Sequence, residues 1–131
     1  MIGVDTNVIV RLLVPNEPQR TLAEKFFVAR SPADPAFVSI VVLVELAWVL
    51  NRHYGYGFEK IRQTVQWLLD SDDFVVEHRD RVEWAVTNYT RSKIDLPDLL
   101  IASAGKDAGA PRTATFDINA AKNVPGMELL K

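Results

Sequence analysis

Short β-rich runs and longer helical segments take turns along this chain, and that alternation limits the possible folds more than any other feature. Residues 1–4 read as a buried strand ending at Asp5, and residues 7–14 as a short apolar helix stopped by Pro15 and Pro18. Residues 19–30 form an amphipathic helix with Leu22, Ala23, Phe26 and Phe27 at helical spacing, and Ser31-Pro32-Ala33-Asp34-Pro35 is a turn. A β-rich run at 37–39 leads into a long apolar helix over 41–53, ended by Gly55 and Gly57. A further amphipathic helix over 58–69 turns Ile61, Val65, Leu68 and Leu69 inward. A strand at 74–76, helices over 82–89 and 95–107, a strand at 112–116, a short helix over 118–122 and a last strand at 128–130 complete the order. Strands that alternate with helices are joined by crossovers and run parallel, so the class is α/β and helix-rich. The 131 residues make one domain, 1–131, with no repeat and no long linker.

Open parallel sheets bind ligands beyond the carboxyl ends of their strands. Asp5 and Asp117 each stand at such an end. Two further acids interrupt apolar sequence: Glu45 inside Val41-Val42-Leu43-Val44-Glu45-Leu46-Ala47-Trp48-Val49-Leu50, and Asp98 directly before Leu99-Leu100-Ile101-Ala102. A carboxylate in an apolar setting is costly unless paired or metal-bound. If the four converge, two of them about 4 Å apart repel by about 4 kcal/mol at an effective dielectric near 20, so a cation is required. Oxygen ligands without His or Cys select Mg²⁺, with Mn²⁺ as substitute, and such a site suits phosphodiester hydrolysis. Each acid also has a structural alternative. Asp5, Asp98 and Asp117 could serve helix N-termini, Asp95 with Asp98 matches a cap and third-residue pair, and Glu45 could pair with an Arg on an exposed face. For Asp95 capping is the favoured reading.

Composition narrows the classes. There is no cysteine, which excludes disulfides, thiolate metal sites and cysteine nucleophiles. The net charge of −2 lacks the basic surplus of a dedicated nucleic-acid-binding module; a nuclease that carries its own cations escapes that objection. The N-terminus lacks the pattern of a signal peptide, and no apolar run reaches the roughly 18 residues of a bilayer span. A soluble cytoplasmic protein is expected. His53 and His78 share no short spacing, and His53 reads as a surface group near a helix end. Trp48, Trp67 and Trp84 fall on helix patterns, where core or dimer packing is favoured over base stacking. Arg11, Arg52, Arg91, Lys93 and Arg112 are candidates for an RNA path, each with ordinary solvated charge as the simpler reading.

The succession Val4-Asp5-Thr6-Asn7-Val8, Val44-Glu45-Leu46, Asp95-Leu96-Pro97-Asp98-Leu99-Leu100-Ile101-Ala102 and Thr115-Phe116-Asp117 resembles the PIN-domain nucleases. Within them it looks most like the VapC toxins of bacterial and archaeal toxin–antitoxin pairs, over essentially the whole chain. The resemblance implies a three-layer α/β/α fold with a short, mainly parallel sheet flanked by helices. It implies an Mg²⁺-dependent endoribonuclease with Asp5, Glu45, Asp98 and Asp117 as metal ligands. Thr6, Asn7, Asp95, Thr115 and Asn119 would stand around them. It further implies a homodimer, a structured RNA substrate, a cognate antitoxin whose C-terminal segment crosses the cleft, and promoter DNA bound only through that antitoxin. Three alternatives remain open: a housekeeping PIN-type RNA-processing nuclease, an Mg²⁺ phosphatase with an aspartyl intermediate at Asp5, and a non-catalytic receiver or binding module. The phosphatase usually wants a second Asp two residues on, where this chain has Asn7.

Overall fold

Every strand pair is parallel, as the alternation requires. The structure, a computed structural model, describes residues 1–15 and 18–131. Its elements are β1 (Ile2–Gly3), α1 (Thr6–Leu13), α2 (Arg20–Val28), β2 (Ala36–Val38), α3 (Ile40–Tyr54), α4 (Phe58–Asp70), β3 (Phe74–Val76), α5 (Arg79–Asn88), α6 (Leu96–Asp107), β4 (Thr113–Thr115), α7 (Ile118–Asn123) and β5 (Met127–Leu129). Among the described residues the strands form a three-stranded sheet in the order β1-β2-β3 and a separate two-stranded sheet of β4 and β5. The single short sheet expected from the sequence is thus divided. β1 is only two residues long, too short to carry a full ladder on both edges.

The class is α/β, with helices packed on short parallel sheets in keeping with a three-layer arrangement. The core forms where α3 meets the surrounding helices. Leu43, Leu46 and Leu50 of α3 are fully buried, together with Val38 of β2, Val65, Leu68 and Leu69 of α4, Val82 of α5, and Leu96 and Leu99 of α6. The inward set expected for residues 58–69 is the set that is buried. α2 is different: Ala23 is buried, Phe26 and Phe27 are half-buried, and Leu22 is 66% exposed. α5 begins at Arg79, three residues before the apolar pattern starts. Its first turn is polar and is supported by an Arg79–Glu83 ion pair that leaves no trace in hydrophobic periodicity.

α3 is anchored at both ends. At its start the Ser39 hydroxyl accepts from the Val42 N–H at 3.1 Å, and Glu77, just past β3, accepts from the Ile40 N–H at 2.9 Å. Both satisfy donors that the first turn of a helix leaves unpaired, and the carboxylate also complements the helix dipole. At its end Gly55 takes the left-handed conformation (φ 69°), donating to the Asn51 carbonyl, while the Tyr56 N–H reaches the Leu50 carbonyl. α6 lies close to β4: a Cβ on Gly105 would meet the Thr113 hydroxyl at 3.1 Å.

Ser39→Ala removes one of the two α3 caps. The expected cost is about 1 kcal/mol, seen as a lower urea midpoint with an unchanged denaturant slope.

Candidate functional site

The four acids of interest come from four separate parts of the chain, and local geometry fixes each. Asp5 follows β1 and begins α1. Its carboxylate accepts from the Thr6 N–H at 2.7 Å. Glu45 stands in the middle of α3, on the face opposite Leu43, Leu46 and Leu50. Asp98 is the third residue of α6. Asp117 follows β4 and caps α7: its carboxylate accepts from the Ala120 N–H at 3.0 Å, while its own N–H donates to the Thr115 hydroxyl at 3.0 Å. Capping is therefore real at Asp117, and Asp5 holds the first N–H of α1.

Asp95 departs from its expected role. It occupies the cap position of α6, yet its side chain makes no capping hydrogen bond. Its charge acts on its neighbours instead. Asp98 is held above the ordinary carboxylate range, first by burial and then by the negative charges of Asp95 and Asp117. The Tyr89 phenol is pushed up to about 12, by burial and then by Asp95. Asp95, Asp98 and Asp117 thus share one electrostatic neighbourhood.

The second neighbourhood is an open groove of about 420 Å³ between α1 and α3, lined among others by Asp5, Thr6, Asn7, Arg11, Glu45 and His53. Glu45 lines this groove. The Thr6 hydroxyl is buried with no hydrogen-bond partner among the described residues, next to Asp5 in the chain. Arg11 reaches the Gln19 side chain at 3.3 Å. His53, expected as an ordinary surface group, is exposed and lines the same groove as Asp5 and Glu45. Eight residues, about two turns, separate His53 from Glu45, which sets both on one side of α3.

One sequence expectation needs correction. Asp5, Glu45, Asp95 and Asp117 are exposed, and only Asp98 is half-buried, so the desolvation argument applies to Asp98 alone. A helix with apolar neighbours on nearly all sides can still present one residue to solvent, because 100° per residue separates Glu45 from Leu43 and Leu46. Among the described residues no three His, Asp or Glu side chains are already gathered as an ion site. The donor chemistry nonetheless fits a hard divalent cation: all candidate donors are carboxylates, and the crowding that raises Asp98 is what such a charge relieves.

Of the surrounding residues, Asn119 is structural. Its amide donates to the Lys93 carbonyl, and Asn123 in turn holds Asn119 while accepting from Arg91 at 2.8 Å. This network ties the start of α7, with Asp117, to the loop before α6, with Asp95. Thr115 orients the Asp117 backbone, and Asn7 is exposed on the groove. No helix among the described residues is long and apolar enough to cross a membrane.

Comparison with known proteins bears on the family. The chain is similar to a VapC ribonuclease of Aquifex aeolicus (strain VF5), 26% identical over 114 residues that cover 86% of this chain and 84% of the relative. The PIN domain family model matches residues 2–125. That match extends from the first strand to beyond α7, so it includes all four acids, and by it the chain belongs to the PIN-domain family.

Proposed function

We propose that this protein is an Mg²⁺-dependent endoribonuclease, the toxin of a VapBC-type pair. The family match carries the reading; Asp5 and Asp117 stand just past β1 and β4, Asp98 in the first turn of α6 and Glu45 on the exposed face of α3. Asp5, Glu45, Asp98 and Asp117 would hold the ion, with Mn²⁺ as a substitute. When bound, Mg²⁺ supplies an acidified water as nucleophile and positive charge against the phosphodiester. The chain's own residues prepare for this in separate ways. The Thr6 N–H fixes one Asp5 oxygen, and the α7 N-terminus fixes one Asp117 oxygen, so each carboxylate keeps its other oxygen for the ion. Burial first, and then the charges of Asp95 and Asp117, disfavour the ionised form of Asp98, and a bound cation would favour it. Thr6, Asn7 and Thr115 position these groups or the substrate. The products expected are 5′-phosphate and 3′-hydroxyl ends.

The same reading supplies the partners: a structured RNA as substrate, a cognate antitoxin protein that covers the groove, a second copy of the chain in a homodimer, and promoter DNA reached only through the antitoxin. The relative's name is that of a VapC ribonuclease, which supports the RNA substrate. A cytoplasmic setting follows from such a substrate.

Asp98→Asn is expected to lower Mg²⁺-dependent RNA cleavage by at least about 100-fold, beyond the roughly 10- to 100-fold cost of losing an outer-shell partner. Far-ultraviolet circular dichroism should be unchanged. Wild-type cleavage by this variant would remove Asp98 from the site, and a trapped phosphoenzyme at Asp5 would favour the phosphatase instead.

A second expectation concerns stability without metal. Asp98 has a folded-state pKa above its ordinary value of 3.8. Ionising it therefore costs the folded state more than the unfolded chain. That cost is absent below the ordinary value, grows as pH rises towards the raised one and is complete above it. In EDTA, Asp98→Asn should accordingly melt higher than wild type at pH 7, with the difference shrinking towards pH 3. Mg²⁺ should raise the wild-type melting temperature more than that of the variant.

A further inference from the structure

A second cavity, of about 360 Å³, lies beside the acidic site between α3, the start of α4 and the loop before α6. Its wall includes Trp48, Asn51, Arg52, Ser92, Asp95 and Tyr89. The volume falls within the range of small-molecule pockets, roughly 300–1,000 Å³. Trp48 is 51% exposed, so of the expected core or dimer packing the core is ruled out for it. The Arg52 guanidinium lies over its ring at 5.8 Å from the centroid, and the His53 ring meets it edge-on at 5.5 Å. Trp48 is also three residues after Glu45, so the two share one side of α3, and Asp95 in the same wall belongs to the electrostatic neighbourhood of Asp98 and Asp117. The cavity therefore adjoins both halves of the acidic site.

We propose that this cavity receives a nucleobase of the RNA strand next to the cleaved phosphodiester, stacked on Trp48, with Arg52 meeting the adjoining phosphate. The inference rests on the nuclease reading and adds a substrate-positioning residue to it. An aromatic face with a guanidinium beside it is the combination that holds single-stranded nucleic acid, because every base offers a π-face and every linkage a negative charge. A protein partner fits the surface less well. The exposed stripe Val41, Glu45, Trp48 and Arg52 carries a charge one turn before and one turn after the indole, whereas the centre of a protein interface is depleted of charge.

The test uses the full chain with Trp67→Phe and Trp84→Phe, which leaves Trp48 as the only indole, its fold checked by circular dichroism. Six-residue single-stranded homopolymer RNAs are titrated in EDTA, so that nothing is cleaved. Saturable quenching of Trp48 fluorescence is expected. In the otherwise native chain, Trp48→Ala should weaken binding of the same fluorescein-labelled RNAs by between about 5-fold and 150-fold, the range that base–aromatic stacking carries. Trp48→Phe should restore most of that loss. Absent quenching together with unchanged affinity in Trp48→Ala overturns the proposal. So does a change of oligomeric state in Trp48→Ala by sedimentation equilibrium, which assigns the indole to a contact between copies of the chain. Cleavage of RNA by the native chain with Mg²⁺ is scored separately: its absence counts against the nuclease reading, whereas normal cleavage with no Trp48 effect counts against the base pocket alone.

Discussion

The buried face of α3 is the constraint on which the rest of the molecule depends. Leu43, Leu46 and Leu50 belong to the core where α3 meets α1, α4 and α6, and none of the three has more than 1% of its surface exposed. Burying one such side chain contributes about 1.5–3 kcal/mol, so this face cannot rotate without losing most of what holds the domain together. Ser39 and Glu77 fix where the helix starts, and Gly55 fixes where it ends. With the rotation and the ends set, Glu45 is presented to the groove beside Asp5, and Trp48 and Arg52 follow on the same side.

Charge crowding is the second organising element. Asp95 could have capped α6 and does not; its unspent charge falls on Asp98 and Tyr89. The Asn119, Asn123 and Arg91 hydrogen bonds keep Asp117 in place relative to the loop that carries Asp95. These like charges oppose one another in the metal-free protein, and under the proposed function a divalent cation would relieve that opposition on binding. This also resolves the mismatch between a net charge of −2 and a polyanionic substrate, since the positive charge would arrive with the ion.

Much of this was legible in the residues. The spacing of Ile61, Val65, Leu68 and Leu69 identified both the helix and its inward face, and Phe74–Val76 was recognisable as a strand from three β-prone residues between turns. The four acids stood out against apolar or strand-like neighbours. Other features were hidden for physical reasons. The first turn of α5 is held by an ion pair rather than by periodic burial. The cap from Glu77 to Ile40 links residues 37 positions apart, which no local pattern encodes. Asp95 looked like a cap because position favours it, and only three-dimensional packing shows its side chain unused in that role.

Taken alone, the sequence determined the alternation of strands and helices, the parallel pairing that follows from it, the apolar faces, and which acids were available to bind a hard cation. Those properties depend on residues near one another in the chain, where periodicity and propensity act. The tertiary structure decided the division of the sheet, the exposure of Glu45 and Trp48, the pairing of Asp5 with Glu45 in one groove, and the repulsion among Asp95, Asp98 and Asp117. These depend on the angle at which distant elements meet, and that angle is set by the packing of whole helix faces rather than by any single stretch of residues.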